Sequence, residues 1–302
     1  MRVLIVGCGY VGVSLGAELV RLDHEVFGLR RSASAEAELK AAGIQPLCGD
    51  VTRLETLAKL PREFDWVVNC VAAGGDAENY RQVYLQGTRH LIEWLAPNPP
   101  KKFVYTSSTS VYGQTDGSAV KESSPTEPPV ETAKVLLETE KLLLAAAADR
   151  KFPAVILRVA GIYGPDRGHG FKQFLKNEAR IEGDGSRVMN MIHRDDLIGC
   201  IIAALKSGRA GEIYNAVDDE PVTQATFFQW LAGTVGKYPP ESVPDNPDEN
   251  RKRGVTNKRV SNRRLKMEVG YQFKHPNFRK GYSAEILRLE RAGKLEVAPD
   301  ER

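Results

Sequence analysis

Short apolar runs alternate with amphipathic stretches along the first two thirds of the chain. The run "FDWVVNCVAA" (64–73) is apolar at successive positions, which is typical of a parallel strand covered on both faces. Six runs of this kind predict strands, at 2–6, 25–29, 43–51, 64–73, 101–113 and 152–165. Intervening helical patterns, as at 10–22, 80–95 and 132–148, predict an α/β fold with a Rossmann-type, doubly wound parallel sheet.

Three glycines follow the first predicted strand, and an amphipathic helix begins directly after them. Gly7 permits the sharp turn, Gly9 lets a pyrophosphate approach the backbone, and Gly12 lets the helix pack on the strand. The backbone amides at the helix start, at Tyr10 and Val11, are oriented toward such an anion. This strand, turn and helix within about 30 residues predict a dinucleotide site.

The end of the second predicted strand bears on the choice of coenzyme. An acid there would accept hydrogen bonds from a ribose with a free 2′-hydroxyl, but the chain offers Arg30, Arg31 and Ser32. Guanidinium groups suit a 2′-phosphate, so NADP is the expected cofactor, with NAD as the alternative. Two solvent-facing loop arginines are the other interpretation. Further cofactor contacts are expected where later strands end, at Asp50, Val51, Val71, Ala72 and Ala73.

The length of 302 residues suits one large domain with a smaller lobe. We expect residues 1–165 to form the dinucleotide-binding core, completed by about 186–218. The segments 166–185 and 219–302 are then expected to form a smaller, substrate-binding lobe. A proline-rich acidic loop at 236–250 leads into the basic part of that lobe.

Composition narrows the class of protein. Hydrophobic residues make up 42% of the chain and charged residues 27%, as in ordinary soluble domains. No apolar run approaches the roughly 20 residues that cross a bilayer, so a cytoplasmic protein without membrane contact is expected. Four widely spaced cysteines and five scattered histidines predict free, mostly buried thiols and no metal site.

The net charge of +3 is distributed unevenly. The segment 251–266 holds eight basic residues and no acid, which leaves 34 of the 42 basic residues against 39 acidic ones elsewhere. This segment is either a solvated basic face or a site for an anionic ligand such as phosphate. It is short and lacks interleaved aromatic residues, which argues against nucleic acid binding.

Six segments, in the same order along the chain, resemble one known family. They are "FDWVVNCVAA", "FVYTSSTSVYG", "LRVAGIYGP", "GDGSRVMNMIHRDDLIGCIIAAL", "EIYNAVDDEPVT" and "NKRVSNRRLK". In this order they resemble an extended short-chain dehydrogenase/reductase of the NAD-dependent epimerase/dehydratase family, whose familiar members act on nucleotide sugars. Such members often pair the helices that match 80–95 and 132–148 across a two-fold axis, so the resemblance implies a homodimer.

The resemblance also locates an active site, where the match is incomplete. Ser108 matches the active-site serine. The family's proton-transferring tyrosine and the lysine four residues later match Thr132 and Leu136, and an asparagine of the preceding helix is replaced by Tyr84. The glycine turn also departs from the spacing usual in extended members. These departures resemble the atypical branch of the superfamily, which keeps the nucleotide site without the Tyr-Lys pair.

The missing pair raises the question of how a proton is moved. Thr132 cannot replace a tyrosine directly, because a threonine hydroxyl is far less acidic than a phenol. We expect Thr132 to cap the helix that begins there, or to orient a water or substrate group. Candidate proton donors are Tyr84, Tyr112 and Tyr163, each of which is otherwise a packing aromatic. His169, in a glycine-rich loop, is a weaker candidate.

Three further residues lie in segments that match the family. His193 is expected to be structural, and Asp196 to tie the late helix to the sheet. Arg158 is expected either to support the structure or to line the cleft.

The sequence therefore predicts an NADP-preferring oxidoreductase or epimerase/dehydratase-like enzyme with an atypical active site. Its substrate is expected to be small, polar and anionic, in the manner of a nucleotide sugar. Residues expected to contact the substrate are Arg167, His169, Arg251, Arg253 and Lys258. The alternative is a catalytically inactive NADP(H)-binding sensor or scaffold. The missing Tyr-Lys pair favours the sensor, and the retained Ser108 favours the enzyme.

Overall fold

The computed structural model describes residues 1–244 and 256–295, and of Arg150 only the backbone. Arg251 and Arg253, two expected anion contacts, lie outside the described residues. The strands are, in chain order, β1 (Arg2–Val6), β2 (Glu25–Arg30), β3 (Gln45–Cys48), β4 (Trp66–Asn69), β5 (Lys102–Ser108), β6 (Ala119–Val120), β7 (Ala154–Val159), β8 (Gly161–Tyr163), β9 (Ile181–Glu182), β10 (Val188–Met189), β11 (Met191–His193), β12 (Ile213–Ala216), β13 (Val222–Thr223), β14 (Ser242–Val243) and β15 (Arg259–Val260).

Ten α-helices lie in the described residues, joined in places by tighter or wider turns. They are α1 (Tyr10–Arg21), α2 (Glu36–Ala41), α3 (Leu54–Leu57), α4 (Ala77–Tyr80), α5 (Gly87–Leu95), α6 (Glu131–Arg150), α7 (His169–Leu175), α8 (Arg194–Ser207), α9 (Gln224–Val235) and α10 (Phe278–Arg291). Two 3₁₀ turns occur at Ala33–Ala35 and Thr109–Val111, and two π-helical segments at Arg81–Gln86 and Leu265–Val269.

Seven parallel strands form the central sheet in the order β12-β7-β5-β4-β1-β2-β3. The chain builds outward from β1 to β3 on one side and then returns to build from β4 to β12 on the other. Carboxyl ends of parallel strands diverge at such a reversal and leave a crevice, where ligands of doubly wound sheets bind. The predicted Rossmann-type fold is confirmed, and its crevice lies above β1 and β4.

Each face of the sheet is covered by its own apolar cluster. Val3 and Ile5 point to one face, where they pack with side chains of α1 and α8. Leu4 and Val6 point to the other face, where they pack with side chains of α5 and α6. Successive side chains of a strand alternate between faces, so a strand covered twice must be apolar throughout.

A third apolar cluster lies outside the sheet and belongs to the later part of the chain. It joins side chains of α7, α9 and α10, with Phe227 and Phe278 fully buried at its centre. Four two-stranded pairings lie outside the central sheet in the described residues: β10 with β13, β11 with β8, β14 with β9, and β15 with β6. This cluster forms the wall that faces the crevice of the sheet.

Several expected boundaries differ from the observed ones. The apolar run 64–73 is a strand only at Trp66–Asn69, because the chain leaves the sheet there and forms a loop beside the crevice. The expected helix 80–95 begins earlier, with Asp76 as its N-cap, and passes through a π-helical segment. Helix α6 begins at Glu131 with Val130 as N-cap and no side-chain cap, so the expectation that Thr132 caps this helix is wrong.

The four cysteines differ in how far they are buried. All four cysteines are free; Cys8 and Cys200 are buried as expected, whereas Cys48 is exposed because the edge strand β3 leaves it uncovered. None of the described helices is long and apolar enough to cross a membrane.

The homodimer stays a prediction, and the apolar side chains of α6 leave little free surface to support it. Leu136 and Leu143 of α6 are buried in the two sheet clusters. Leu137, Leu142 and Leu144 are half-buried against the same clusters. The apolar side chains of this helix are therefore largely used within the chain itself.

Candidate active site

A cleft of about 1450 Å³ opens at the carboxyl ends of the central strands. One wall is the sheet edge with its glycine turn, and the other wall comes from the later part of the chain. Of the residues expected to bind coenzyme or substrate, those that line this cleft are Gly7, Gly9, Tyr10, Val11, Arg30, Arg31, Ser32, Asp50, Val51, Val71, Ala72, Ala73, Ser108, Tyr84, Tyr163, Arg167, His169 and Lys258.

The glycine turn has the geometry that its sequence predicts. Gly7 has φ +79°, and a Cβ there would lie 2.6 Å from the backbone of Val71, so no other residue fits. A Cβ on Gly12 would lie 3.1 Å from Ile5 Cγ2, which is the close helix-to-strand packing expected. At Gly9, by contrast, a Cβ would meet nothing within 4 Å, because that position faces the open cleft at the start of α1.

The outer part of the cleft carries the residues expected to distinguish NADP from NAD. Arg30 donates to Glu38 at 2.9 Å, so its guanidinium already has a carboxylate partner. Arg31 is exposed, and its side chain makes no hydrogen bond to the described residues. Ser32 caps a 3₁₀ turn by accepting from the amide of Ser34. Asp50 is held by accepting hydrogen bonds from the amide and hydroxyl of Thr52.

Ser108 ends β5 at the inner part of the cleft. Its hydroxyl accepts from the amide of Ser110 at 3.1 Å and so opens the 3₁₀ turn that follows. The preceding side chain, Ser107, points the opposite way and donates to buried Glu140 at 2.6 Å. We call Ser108 and the 3₁₀ turn that follows it the serine turn. Through Ser107 this turn is anchored to α6.

Glu140 is the centre of a buried polar network. Arg158 donates to it through Nη2 at 2.7 Å and through Nε at 3.1 Å, with both side chains almost fully buried. Arg158 also donates to the hydroxyl of Tyr112, which in turn donates to Asn215. Arg158 therefore supports the serine turn from behind, and of the two roles expected for it the structural one applies.

Tyr112, a candidate proton donor, has its hydroxyl hydrogen-bonded within this network and does not line the cleft. It is fully buried, and burial raises the pKa of its phenol although Arg158 opposes the rise. Thr132 and Leu136 do not line the cleft. Leu136 is 6% exposed within a sheet cluster, so the place of the family's lysine is filled by apolar packing.

Tyr84 is the candidate phenol whose position fits proton transfer best. Its ring lines the cleft, and its hydroxyl accepts from the amide of Ala73 at 3.2 Å. That hydrogen bond fixes the phenol oxygen beside Ala73, one of the residues expected to contact the coenzyme. The ring of Tyr80 lies 5.1 Å away and lines the same wall.

Tyr163 has the surroundings of a packing residue. It is 1% exposed and stacks on Tyr282 with ring centroids 4.4 Å apart. Its hydroxyl donates to the carbonyl of Asn277 at 3.3 Å. Burial raises the pKa of this phenol well above its ordinary value. These contacts favour a structural role, and the aromatic pairing that causes it could not be seen in the sequence.

The loop with the expected anion contacts lies at the rim of the cleft. Arg167 and His169 are both exposed there. The Arg167 guanidinium lies 5.0 Å from the ring centre of Tyr10, whose hydroxyl donates to the carbonyl of Pro165 at 2.9 Å. The loop is thus held against the start of α1, next to the glycine turn.

Arg187 is a cleft residue that sequence reasoning missed. Its Nε is buried and has no hydrogen-bond partner among the described residues, and Nη2 lies 3.7 Å from Glu182. The amide of the next residue, Val188, donates to Asn257, so this strand runs beside the segment that carries Lys258. The single basic residue in "GDGSRVMN" was the only signal, and spacing alone does not distinguish it from a surface arginine.

Asp196 has a different role from the one expected. Its two oxygens accept from Tyr271 Oη, the amides of Lys274 and His275, and His275 Nδ1. These bonds tie α8 to the segment before α10 rather than to the sheet. Burial alone would raise the pKa of Asp196, but the hydrogen bonds from His275 and Tyr271 hold it below its usual value.

His193 joins this cluster and is structural, as expected. It is buried beside His275 with ring centroids 3.8 Å apart, and burial lowers its pKa to about 4. Ligand atoms of His193, Asp196 and His275 all lie within 4.8 Å of one another, a grouping that the sequence analysis did not anticipate. The Asp196 carboxylate already accepts four hydrogen bonds. The three residues are therefore explained by their structural role, which is to hold α8 against the segment before α10.

Comparison with known proteins agrees with this architecture. The profile of the NAD dependent epimerase/dehydratase family matches residues 3–216. Protein YeeZ of Escherichia coli (strain K12) is 27% identical over 91% of this chain and 97% of its own length. The 3-diazoavenalumate denitrifying reductase of a Streptomyces species is 24% identical over 94% of this chain and 100% of its own.

A solved structure gives the same result for the fold. DesIV, a dTDP-glucose 4,6-dehydratase from Streptomyces venezuelae, has a TM-score of 0.83 at 23% identity, with 96% of this chain and 97% of that chain covered. The chain belongs to the NAD dependent epimerase/dehydratase family, because the family profile covers more than half of it. The extended short-chain dehydrogenase/reductase architecture predicted from the sequence is thereby confirmed.

Proposed function

We propose that this protein is an NADP-preferring oxidoreductase that transfers hydride between the coenzyme and a small, polar, anionic carbonyl compound. The single observation that carries this proposal is the glycine turn. Gly7 and Gly12 are packed tightly, whereas Gly9 faces a cleft of about 1450 Å³ with open space at the start of α1. A coenzyme diphosphate needs that combination of a rigid turn and an uncovered helix start.

Membership of the family supports a nicotinamide coenzyme. The relative named 3-diazoavenalumate denitrifying reductase supports reduction as the reaction class. A bound nicotinamide coenzyme would supply hydride; the residues of this chain would bind it, orient the substrate and move a proton. Ser108 would donate a hydrogen bond to the substrate oxygen, and Tyr84 would transfer the proton to it. We also propose a cytoplasmic location, as the sequence predicts.

Tyr84→Phe is expected to lower kcat for carbonyl reduction by about 10²–10⁴, the usual contribution of a general acid. The measurement is NADPH oxidation against a library of small aldehydes, ketones and oxo acids, followed by steady-state kinetics on the best substrate. Tyr80→Phe is the matched control, since its ring lines the same wall and is expected to leave kcat within about twofold. Equal kinetics for Tyr84→Phe and wild type would remove Tyr84 from the mechanism.

Arg31→Ala is expected to weaken NADPH binding by about 10- to 100-fold and leave NADH binding unchanged, because it removes a charged hydrogen bond to the 2′-phosphate. Arg30→Ala is expected to have a smaller effect, since Arg30 pairs with Glu38. Dissociation constants for NADPH and NADH, measured by calorimetry, test this expectation. Arg89→Ala, at an exposed arginine of α5, is the control and is expected to change neither constant. An equal loss for both coenzymes would contradict the phosphate role.

A coenzyme-binding sensor without catalysis is the second candidate. It is favoured by Thr132 and Leu136, which stand in place of the Tyr-Lys pair and do not line the cleft. Tight NADPH binding without turnover of any library member would favour the sensor. In that case the wild type, Tyr84→Phe and Ser108→Ala would show the same background rate of NADPH oxidation.

A further inference from the structure

Lys258 is a buried cation on the wall of the cleft. It is 4% exposed, and its Nζ donates to the carbonyl of Tyr112 at 2.8 Å and to Thr256 Oγ1 at 2.9 Å. An ammonium carries three N–H groups, so two are used and one remains. Because Lys258 lines the cleft, a ligand there can reach the remaining donor.

The charge of Lys258 is not compensated by the described residues. Both acceptors are neutral, and burial lowers the pKa of its ammonium to about 8. Carboxylates on the neighbouring elements have other partners. Glu140 is paired with Arg158 beneath Tyr112, Glu182 lies near Arg187 on the adjacent strand segment, and Glu122, just after β6, accepts from the amide of Asn215. Arg259, the next residue, donates to the carbonyl of Gly117. A buried charge without a counter-charge is costly, and an anionic ligand would offset that cost.

The position of Lys258 connects it to the serine turn. Tyr112, whose carbonyl accepts from Lys258, directly follows the 3₁₀ turn that Ser108 opens. On the other side, the Lys258 carbonyl accepts from Asn190 Nδ2, which holds the segment against the strand that carries Arg187. The ammonium is therefore bonded to a residue four positions after Ser108, and both Lys258 and Ser108 line the cleft.

We propose that Lys258 binds the carboxylate of a small oxo acid whose carbonyl oxygen is held at Ser108. This rests on the proposed function, and it narrows the substrate from any polar anion to a short monocarboxylate. One cation with one remaining donor matches one carboxylate oxygen. A nucleoside diphosphate, with several charged oxygens, would need further cations. Arg187, just before β10, also lines the cleft, but it has the carboxylate of Glu182 within 3.7 Å, so its charge is already partly offset.

The affinity for a carboxylate is expected to fall as the pH rises through the pKa of Lys258. A bound anion stabilises the protonated lysine, so binding raises the pKa of Lys258 above its value of about 8 in the free protein. Affinity is therefore constant between about pH 6 and 8, where both the lysine and the acid are charged. It falls as the pH rises above about 8, by up to tenfold per unit, until the raised pKa of the bound state is passed.

The test is an NMR titration of the full chain labelled with ¹³C at lysine Cε. The Lys258 resonance is the one absent from Lys258→Arg. Acetate and pyruvate serve as anionic probes and acetamide as the neutral isostere, each with and without NADPH. We expect the Lys258 midpoint near pH 8 to rise with acetate or pyruvate and to stay unchanged with acetamide.

Lys258→Met is expected to weaken acetate and pyruvate binding by about 10- to 100-fold, and Lys172→Met, at an exposed lysine on the cleft wall, is expected to leave it unchanged. Thermal melting and NADPH binding check that both variants fold. A purely structural Lys258 would destabilise the fold when replaced and show no response to carboxylates.

Two results would overturn the carboxylate site: no shift of the Lys258 midpoint with either anion, or tighter Lys258-dependent binding of inorganic phosphate than of acetate. The proposed function fails separately, if NADPH binds to neither the wild type nor the variants. In that case a Lys258 shift with acetate would still support the anion site.

Discussion

Glu140→Gln is expected to lower the free energy of unfolding by about 3–5 kcal/mol, because it removes the negative charge opposite a buried guanidinium. Arg158 is buried with Glu140 as its carboxylate partner, and the two side chains are only 4% and 1% exposed. Urea denaturation followed by circular dichroism measures the change. The same substitution loosens the anchor of Ser107, so carbonyl reduction is expected to fall along with stability.

Glu138→Gln is the matched control, because Glu138 lies on the same helix and pairs with Arg81 at the surface, where the side chains are 44% and 39% exposed. Its expected cost is below about 1 kcal/mol. The double variant Glu140→Leu with Arg158→Met, which removes both charges, is expected to recover part of the loss. Equal costs for Glu140→Gln and Glu138→Gln would show that the buried pair does not stabilise this fold.

Gly9→Ala is expected to weaken coenzyme binding by at least about 100-fold, or roughly 2.7 kcal/mol, with little change in stability. A Cβ at this position meets no protein atom within 4 Å, so the fold tolerates it. The methyl group instead occupies the space through which a diphosphate approaches the backbone. Calorimetric titration with NADPH and thermal melting separate the two effects.

Gly233→Ala provides the control for Gly9→Ala, since a Cβ there also meets nothing within 4 Å and the residue lies in helix α9, away from the cleft. It is expected to keep coenzyme affinity. Gly7→Ala is expected to impair folding as well as binding, because its Cβ would lie 2.6 Å from the backbone of Val71. Unaltered NADPH affinity in Gly9→Ala would place the coenzyme elsewhere.

The fold could be predicted from the sequence because each strand of a parallel sheet covered on both faces is a continuous run of apolar residues. Val3 to Val6 are apolar at four successive positions, and the structure divides them between two clusters. The glycine turn is mostly local: its three glycines lie within one strand, turn and helix, although Gly7 also packs against Val71 of a later loop. Such features depend mainly on residues that are close together in the chain. They are therefore visible in the sequence as a regular spacing of residue types.

The inner part of the site could not be predicted in the same way, because it depends on contacts between distant segments. Lys258 and Tyr112 are 146 residues apart, and Arg158 and Tyr112 are 46 apart. Tyr163 was a candidate acid because it ends a predicted strand, but Tyr282 and Asn277 cover its ring and hydroxyl. Sequence position shows where a strand ends, not which later segment packs over it.

The central claim is that an adenine dinucleotide binds at the glycine turn. Calorimetric titration of purified protein, first freed of carried-over ligand, with NADPH and then NADH tests it most directly. The account predicts saturable binding of one coenzyme per chain, with NADPH bound more tightly than NADH and both weakened in Gly9→Ala. No heat of binding from either coenzyme at millimolar concentration would contradict it.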